Sequence, residues 1–116
     1  MDLQKFTQKS QEAMQDAQAR AVKRGNTEVD IEHLVSALAQ QEGGLIPRLF
    51  EKRGVQLEPF VADVERELDK RPKVTGPGIE PGKVYLTSRL AQAMVKAEEE
   101  AMRAAMMASF ILMRVR

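Results

Sequence analysis

The chain has 116 residues, a net charge of +1, and is 43% hydrophobic, 30% charged and 4% aromatic. This length suits one domain or a piece of one, and the apolar share is too high for a disordered chain. The sequence has no Cys and one His, His33. That excludes a disulfide framework, thiol catalysis, Cys-type zinc sites and His-rich metal sites, and fits a reducing cytosol.

The predicted elements are helices. Phe6, Ser10, Ala13, Met14, Ala17 and Ala21 recur at helical spacing. Thr7 stands at the N-cap of this stripe, and Gly25 suits the left-handed stop. A second helix starts at the cap Asp30, carries Ile31, Leu34, Val35 and Leu38, and ends by Gly43-Gly44. A short third helix covers Leu45 to Lys52, with Pro47 in its first turn and Gly54 after it. The fourth opens near Pro59, with Phe60, Val61, Val64 and Leu68 on its apolar face and Pro72 past its end. Gly76-Pro77-Gly78 and Pro81-Gly82 mark Lys73 to Tyr85 as a linker. A fifth helix begins at Thr87 and runs through Leu90, Ala91, Met94, Val95, Ala97 and Ala101. Lys83 to Leu86 is the single strand candidate and is too short to count as one.

An internal repeat appears at an offset of 80. Phe6 to Ala21 aligns with Leu86 to Ala101, pairing Thr7 with Thr87, Ala13 with Ala93, Met14 with Met94, Ala17 with Ala97 and Ala21 with Ala101. Repeats of this size are supersecondary units that bury their apolar faces against each other.

The composition shifts at Met102. Residues 1 to 101 hold 15 Lys+Arg against 17 Asp+Glu, whereas residues 102 to 116 hold three Arg, no acid and four of the seven Met. The nearly apolar run Ala104 to Met113 falls short of the roughly 20 residues needed to span a bilayer. Met1 to Lys9 has no apolar core of a signal peptide.

Little of the sequence points to catalysis. There is no G-x-x-x-x-G-K-[ST] phosphate cradle. Glu32 and His33 are neighbours on a helix and diverge by about 100°, which suits a structural first-turn pair better than an acid–base pair. Glu98-Glu99-Glu100 fan out in the same way, as a solvated face rather than a metal cluster. The net −2 body with dispersed basic residues argues against a nucleic-acid interface.

Phe6-Thr7-x-x-Ser10-Gln11-Glu12-Ala13, Ile31-Glu32-His33-Leu34, Gln41-Glu42-Gly43-Gly44 and Arg71-Pro72-x-Val74 occur in this order between Leu3 and Ala101. In this arrangement the chain resembles the N-terminal domain of the Clp family, within it the ClpB disaggregases. The resemblance implies an all-α fold of Clp repeats. Residues 1–72 would form a complete four-helix repeat, 73–85 a linker, and 86–116 a partial second repeat with an atypical tail from 102.

The resemblance also implies a non-catalytic, cytoplasmic role without cofactor or metal. Such a domain binds unfolded or aggregated polypeptides for attached AAA+ ring modules, and in some relatives it docks adaptor proteins. Neither a specific nucleic acid nor a membrane is an expected partner. Thr7 and Leu90 match family positions at the substrate-handling surface, and Leu90→Ser is expected to weaken client binding with helix content intact. The second Glu-His pair, due at Leu112-Met113, is missing, and acidic positions of the family groove have no match beyond Ala101. The tail therefore suggests a truncated, frame-shifted or foreign end, and the fragment is alternatively non-functional. Missing second-repeat helices would uncover Leu90, Met94 and Phe110, unless the tail forms a further helix over them.

Overall fold

The computed structural model describes residues 8–73 and 84–115, and the side chains of all of these except 101, 102, 105 and 108–115. The described chain folds as α1 (Gln8–Lys23), β1 (Glu28–Val29), α2 (Ile31–Ala39), α3 (Leu45–Arg53), α4 (Glu58–Asp69), β2 (Tyr85–Leu86) and α5 (Ser88–Val115). The fold is all-α apart from one two-residue strand pair.

The boundaries follow local chemistry. Helix α1 stops where Gly25 takes φ 75°, a left-handed conformation that a side chain would resist. The Gly25 amide then donates to the Val22 carbonyl, and that of Asn26 to Ala21. Helix α2 opens on Asp30, whose carboxylate accepts from the Ile31 amide, and His33 completes a capping box. Pro59 sits in the first turn of α4, where its missing N–H leaves no helical bond unmade.

The core forms where α1, α2 and α5 meet. Met14, Ala17 and Ala21 of α1 cluster with Val29, Ala37, Leu90 and Met94, and Ile31, Leu34 and Val84 close the edge. The alanines of α1 let α2 approach closely. Helix α4 joins from the other side through buried Leu68 and through Glu65, which accepts from Ser36 Oγ at 2.6 Å and pairs with Arg24. Arg24 also reaches Asp69 at 2.6 Å. Helix α3 leans on α4 by Phe50 and Phe60, with ring centroids 5.3 Å apart, a tilted arrangement that aromatic quadrupoles favour.

Two features differ from the sequence expectations. Tyr85–Leu86 is a strand after all, paired in parallel with Glu28–Val29. The Tyr85 amide donates to the Thr27 carbonyl at 3.3 Å and that of Thr87 to Val29 at 3.0 Å. Val29 lies in the core, so this short ladder ties the connection between α1 and α2 to the start of α5.

The second difference concerns the apolar face of α5. Leu90 and Met94 are buried, at 0% and 5% exposure, because α1, β1 and α2 cover them. The further helix foreseen for the tail is a continuation of α5, which runs unbroken to Val115. Thr7, Phe6 and nearly all of the foreseen linker, with its Gly and Pro turns, lie outside the described residues, as does the Phe110 side chain.

Positions aligned at the offset of 80 share some environments and differ in others. Met14 and Met94 are both buried, and Thr87 caps α5, its hydroxyl accepting from the Leu90 amide at 3.1 Å. By contrast Ala13 and Ala17 are buried, while their counterparts Ala93 and Ala97 are exposed. Helix α2 shields the alanine side of α1, and no described element does the same for α5.

Candidate functional site

The densest polar cluster gathers at the start of α2. Asp30 is buried and accepts four side-chain or backbone donors. Its Oδ1 takes the Ile31 amide at 2.7 Å and the Thr87 hydroxyl at 2.8 Å. Its Oδ2 pairs with Arg71 at 2.8 Å and Arg89 at 3.2 Å. The same two arginines reach Glu32, at 2.6 Å from Arg71 and 3.3 Å from Arg89. One carboxylate thus ties the start of α2, the end of α4 and the start of α5. Burial by itself would raise the Asp30 pKa. The Ile31, Thr87 and Arg71 hydrogen bonds and the Arg71 charge outweigh it and hold the carboxyl below its ordinary value.

His33 belongs to the same cluster. Its Nδ1 accepts from the Asp30 amide at 2.9 Å, which places the proton on Nε2. Nε2 therefore donates to Asn26 Oδ1 at 2.9 Å. The Asn26 amide in turn donates to the Pro72 carbonyl at 3.1 Å. Burial, reinforced by the positive charges of Arg71 and Arg24, lowers the His33 pKa against the opposing pull of Asp30 and Glu32.

A second proton on Nδ1 would face the Asp30 N–H, donor against donor. The unfolded chain therefore takes the proton first, near the ordinary value of 6.5. Stability should be complete above that pH and decline as pH falls through it. His33 is the only histidine, so a urea midpoint that drops between pH 7.5 and 5.5 reports on it, and a flat profile contradicts this account.

This cluster holds α2, α4 and α5 together. Every buried polar side-chain atom among the described residues has a partner. Among the same residues no group of three or more His, Asp or Glu could hold a metal. No helix among them is long and apolar enough to cross a membrane.

The other candidate surface is the outward stripe of α5. Beyond Met94, each α5 side chain described is exposed except that of half-buried Glu98. Ala91, Gln92, Val95, Lys96 and Glu99 line a shallow depression of 370 Å³. Val95 is 45% exposed, and Met106 and Met107 leave still more apolar surface in water farther along. Tyr85, just before the helix, is 75% exposed.

Of the two residues singled out from the sequence, Thr7 lies outside the described residues. Leu90 is fully buried one position from this stripe, so its replacement by Ser would disturb packing before it reported on binding. The stripe carried by Val95 was missed as a site. It lacks a polar motif, and its signal is that apolar Val95 aligns at the offset of 80 with exposed, polar Gln15 of α1.

Comparison with known proteins places the chain. The family described as Clp repeat (R) N-terminal domain matches residues 5–111. The match continues past Ala101, so the composition shift at Met102 marks neither its end nor that of α5. The chain is similar to the chaperone protein ClpB of Nitratidesulfovibrio vulgaris, 50% identical over 99 residues, which cover 85% of this chain and 11% of that protein. It is also similar to ClpB of Bacillus cereus, 45% identical over 101 residues covering 87% of this chain and 12% of the relative. ClpB of Clostridium perfringens is 40% identical over 99 residues covering 85% and 11%. The chain thus spans only about a ninth of the length of these relatives. With the family match and the helical fold in agreement, the chain belongs to the Clp repeat N-terminal domain family.

Proposed function

We propose that this chain is the substrate-engaging module of an ATP-driven protein disaggregase. It binds apolar segments of unfolded or aggregated polypeptides without catalysis and presents them to AAA+ modules of a longer cytoplasmic protein. The observation that carries this reading is the outward stripe of α5, whose exposed apolar side chains sit on a helix that Leu90 and Met94 anchor in the core. Thr7 and Leu90 belong to the same reading. Thr7 stands at the head of the first repeat, and Leu90 acts from beneath by holding the stripe in position.

The physics suits capture and release. Burying a few client side chains contributes roughly 25 cal/mol per Å² of apolar area. Ordering a flexible segment offsets much of that gain. One module therefore binds weakly and tolerates many sequences, and several tethered copies raise the effective concentration.

The test is Val95→Asp. It places a charge in the stripe while leaving the core untouched. Affinity for a permanently unfolded protein, such as reduced and alkylated lactalbumin, is expected to fall about tenfold with the melting curve unchanged. Equal affinity in parent and variant contradicts the proposal.

A further inference from the structure

Helix α3 carries a second surface whose chemistry differs from that of α5. None of its nine residues is buried. Its inner side holds it in place through Phe50 against Phe60 and through half-buried Ile46 and Pro47. Its outer side exposes Leu45 at 65% and Leu49 at 46%, and Val55 beyond the helix is exposed as well. Leu45 and Leu49 are four residues apart, so they share one face, with Arg48 and Lys52 one turn apart beside them.

The cations on this face differ from the arginines elsewhere in the described residues. Arg20, Arg24, Arg66, Arg71, Arg89 and Arg103 each pair with a carboxylate. Arg48, Lys52 and Arg53 form no ion pair with any described residue. Leu45, Arg48, Leu49, Glu51 and Lys52 line an open depression of 560 Å³. Two leucines and three cations without an ion pair to any described residue therefore stand together on the exposed side of α3.

We infer that the outer face of α3 is a docking site for an acidic amphipathic helix of another protein. Such a helix would lay two apolar side chains against Leu45 and Leu49 and set carboxylates opposite Arg48, Lys52 and Arg53. The leucines supply the contact area, and the charges select the partner and speed its arrival. A lipid surface fits less well. Membrane-surface helices bury a broader apolar face than two leucines, and Glu51 interrupts the basic side. This site is independent of client capture on α5.

The experiment uses the full chain and a fluorescent helical peptide with two leucines one turn apart flanked by glutamates, beside a twin with lysines in place of the glutamates. The acidic peptide is expected to bind in an anisotropy titration, and more weakly as salt is raised. Leu49→Ser should weaken it about tenfold, and the double variant Arg48→Glu, Lys52→Glu should reverse the preference toward the lysine twin. Both variants should keep the parent circular dichroism spectrum, because the side chains changed are exposed. Val95→Asp should leave peptide binding unchanged, which separates this site from the α5 stripe.

Equal binding of the two peptides, or full binding by both α3 variants, overturns the inference. So does binding to phosphatidylserine vesicles without peptide preference, which assigns the face to a membrane. Concentration-dependent self-association that Leu49→Ser abolishes overturns it in favour of a second copy of this chain.

Discussion

Leu90→Ala is expected to destabilise the fold by about 3 kcal/mol. Leu90 has no exposed surface and packs in the cluster formed by Met14, Ala17, Ala21, Val29 and Ala37. Truncating it removes the transfer energy of the lost carbons and leaves a cavity that a rigid backbone closes only in part. Alanine is a good helix former, so α5 itself does not suffer. The loss falls on docking, since Leu90 and Met94 are the α5 members of the core cluster. Urea unfolding measures the effect as a lower midpoint at unchanged slope. A loss under about 1 kcal/mol would mean that α5 is not held by this contact.

Asp30→Ala is expected to cost about 2–3 kcal/mol at neutral pH. The substitution removes the cap of α2 and the shared acceptor of Thr87, Arg71 and Arg89 at once. The cap alone accounts for about 1 kcal/mol. The ion pairs add less than their number suggests, because Arg71 and Arg89 remain partly in water at 31% and 59% exposure and keep Glu32 as a partner. Asp30→Asn keeps a capping oxygen and loses the charge, so it should cost about half as much. Equal losses in the two variants would place the whole effect in the charge, and no loss in Asp30→Ala would contradict the role of this cluster in joining α2, α4 and α5.

Much of this architecture is readable from local chemistry. Asp30 announces a helix start because a short carboxylate fits the first free amides. Gly25 and Gly54 announce stops because they accept the left-handed conformation. The Glu32-His33 pair is recognisable as structural because neighbouring helical side chains diverge, and His33 indeed closes the capping box. The β1–β2 ladder is different. Glu28–Val29 and Tyr85–Leu86 are two residues each, and no periodicity can develop over that length. Their pairing is decided by tertiary packing around Val29.

The tail shows the converse problem. The shift in charge at Met102 is real, but Ala, Met, Leu and Arg are all strong helix formers and nothing there breaks a helix. Composition changed while backbone preference did not, so α5 continues. The exposure of most of α5 was illegible for a related reason. Ala93 and Ala97 look like core because their partners Ala13 and Ala17 are core, and only the packing reveals that nothing described covers them. Leu90 and Val95 share the same apolar pattern, and which of them faces the interior depends on the roll of α5 against α1.

The central claim is that α5 presents its outward stripe to clients while its inner face is fixed to α1 and α2. Photo-cross-linking tests it most directly. A photoreactive residue at Val95 should form an adduct with an unfolded client, and the same residue at exposed Ala19 on α1 should not. Capture at Ala19 equal to that at Val95, or no adduct at Val95 with a client that binds, would contradict the account.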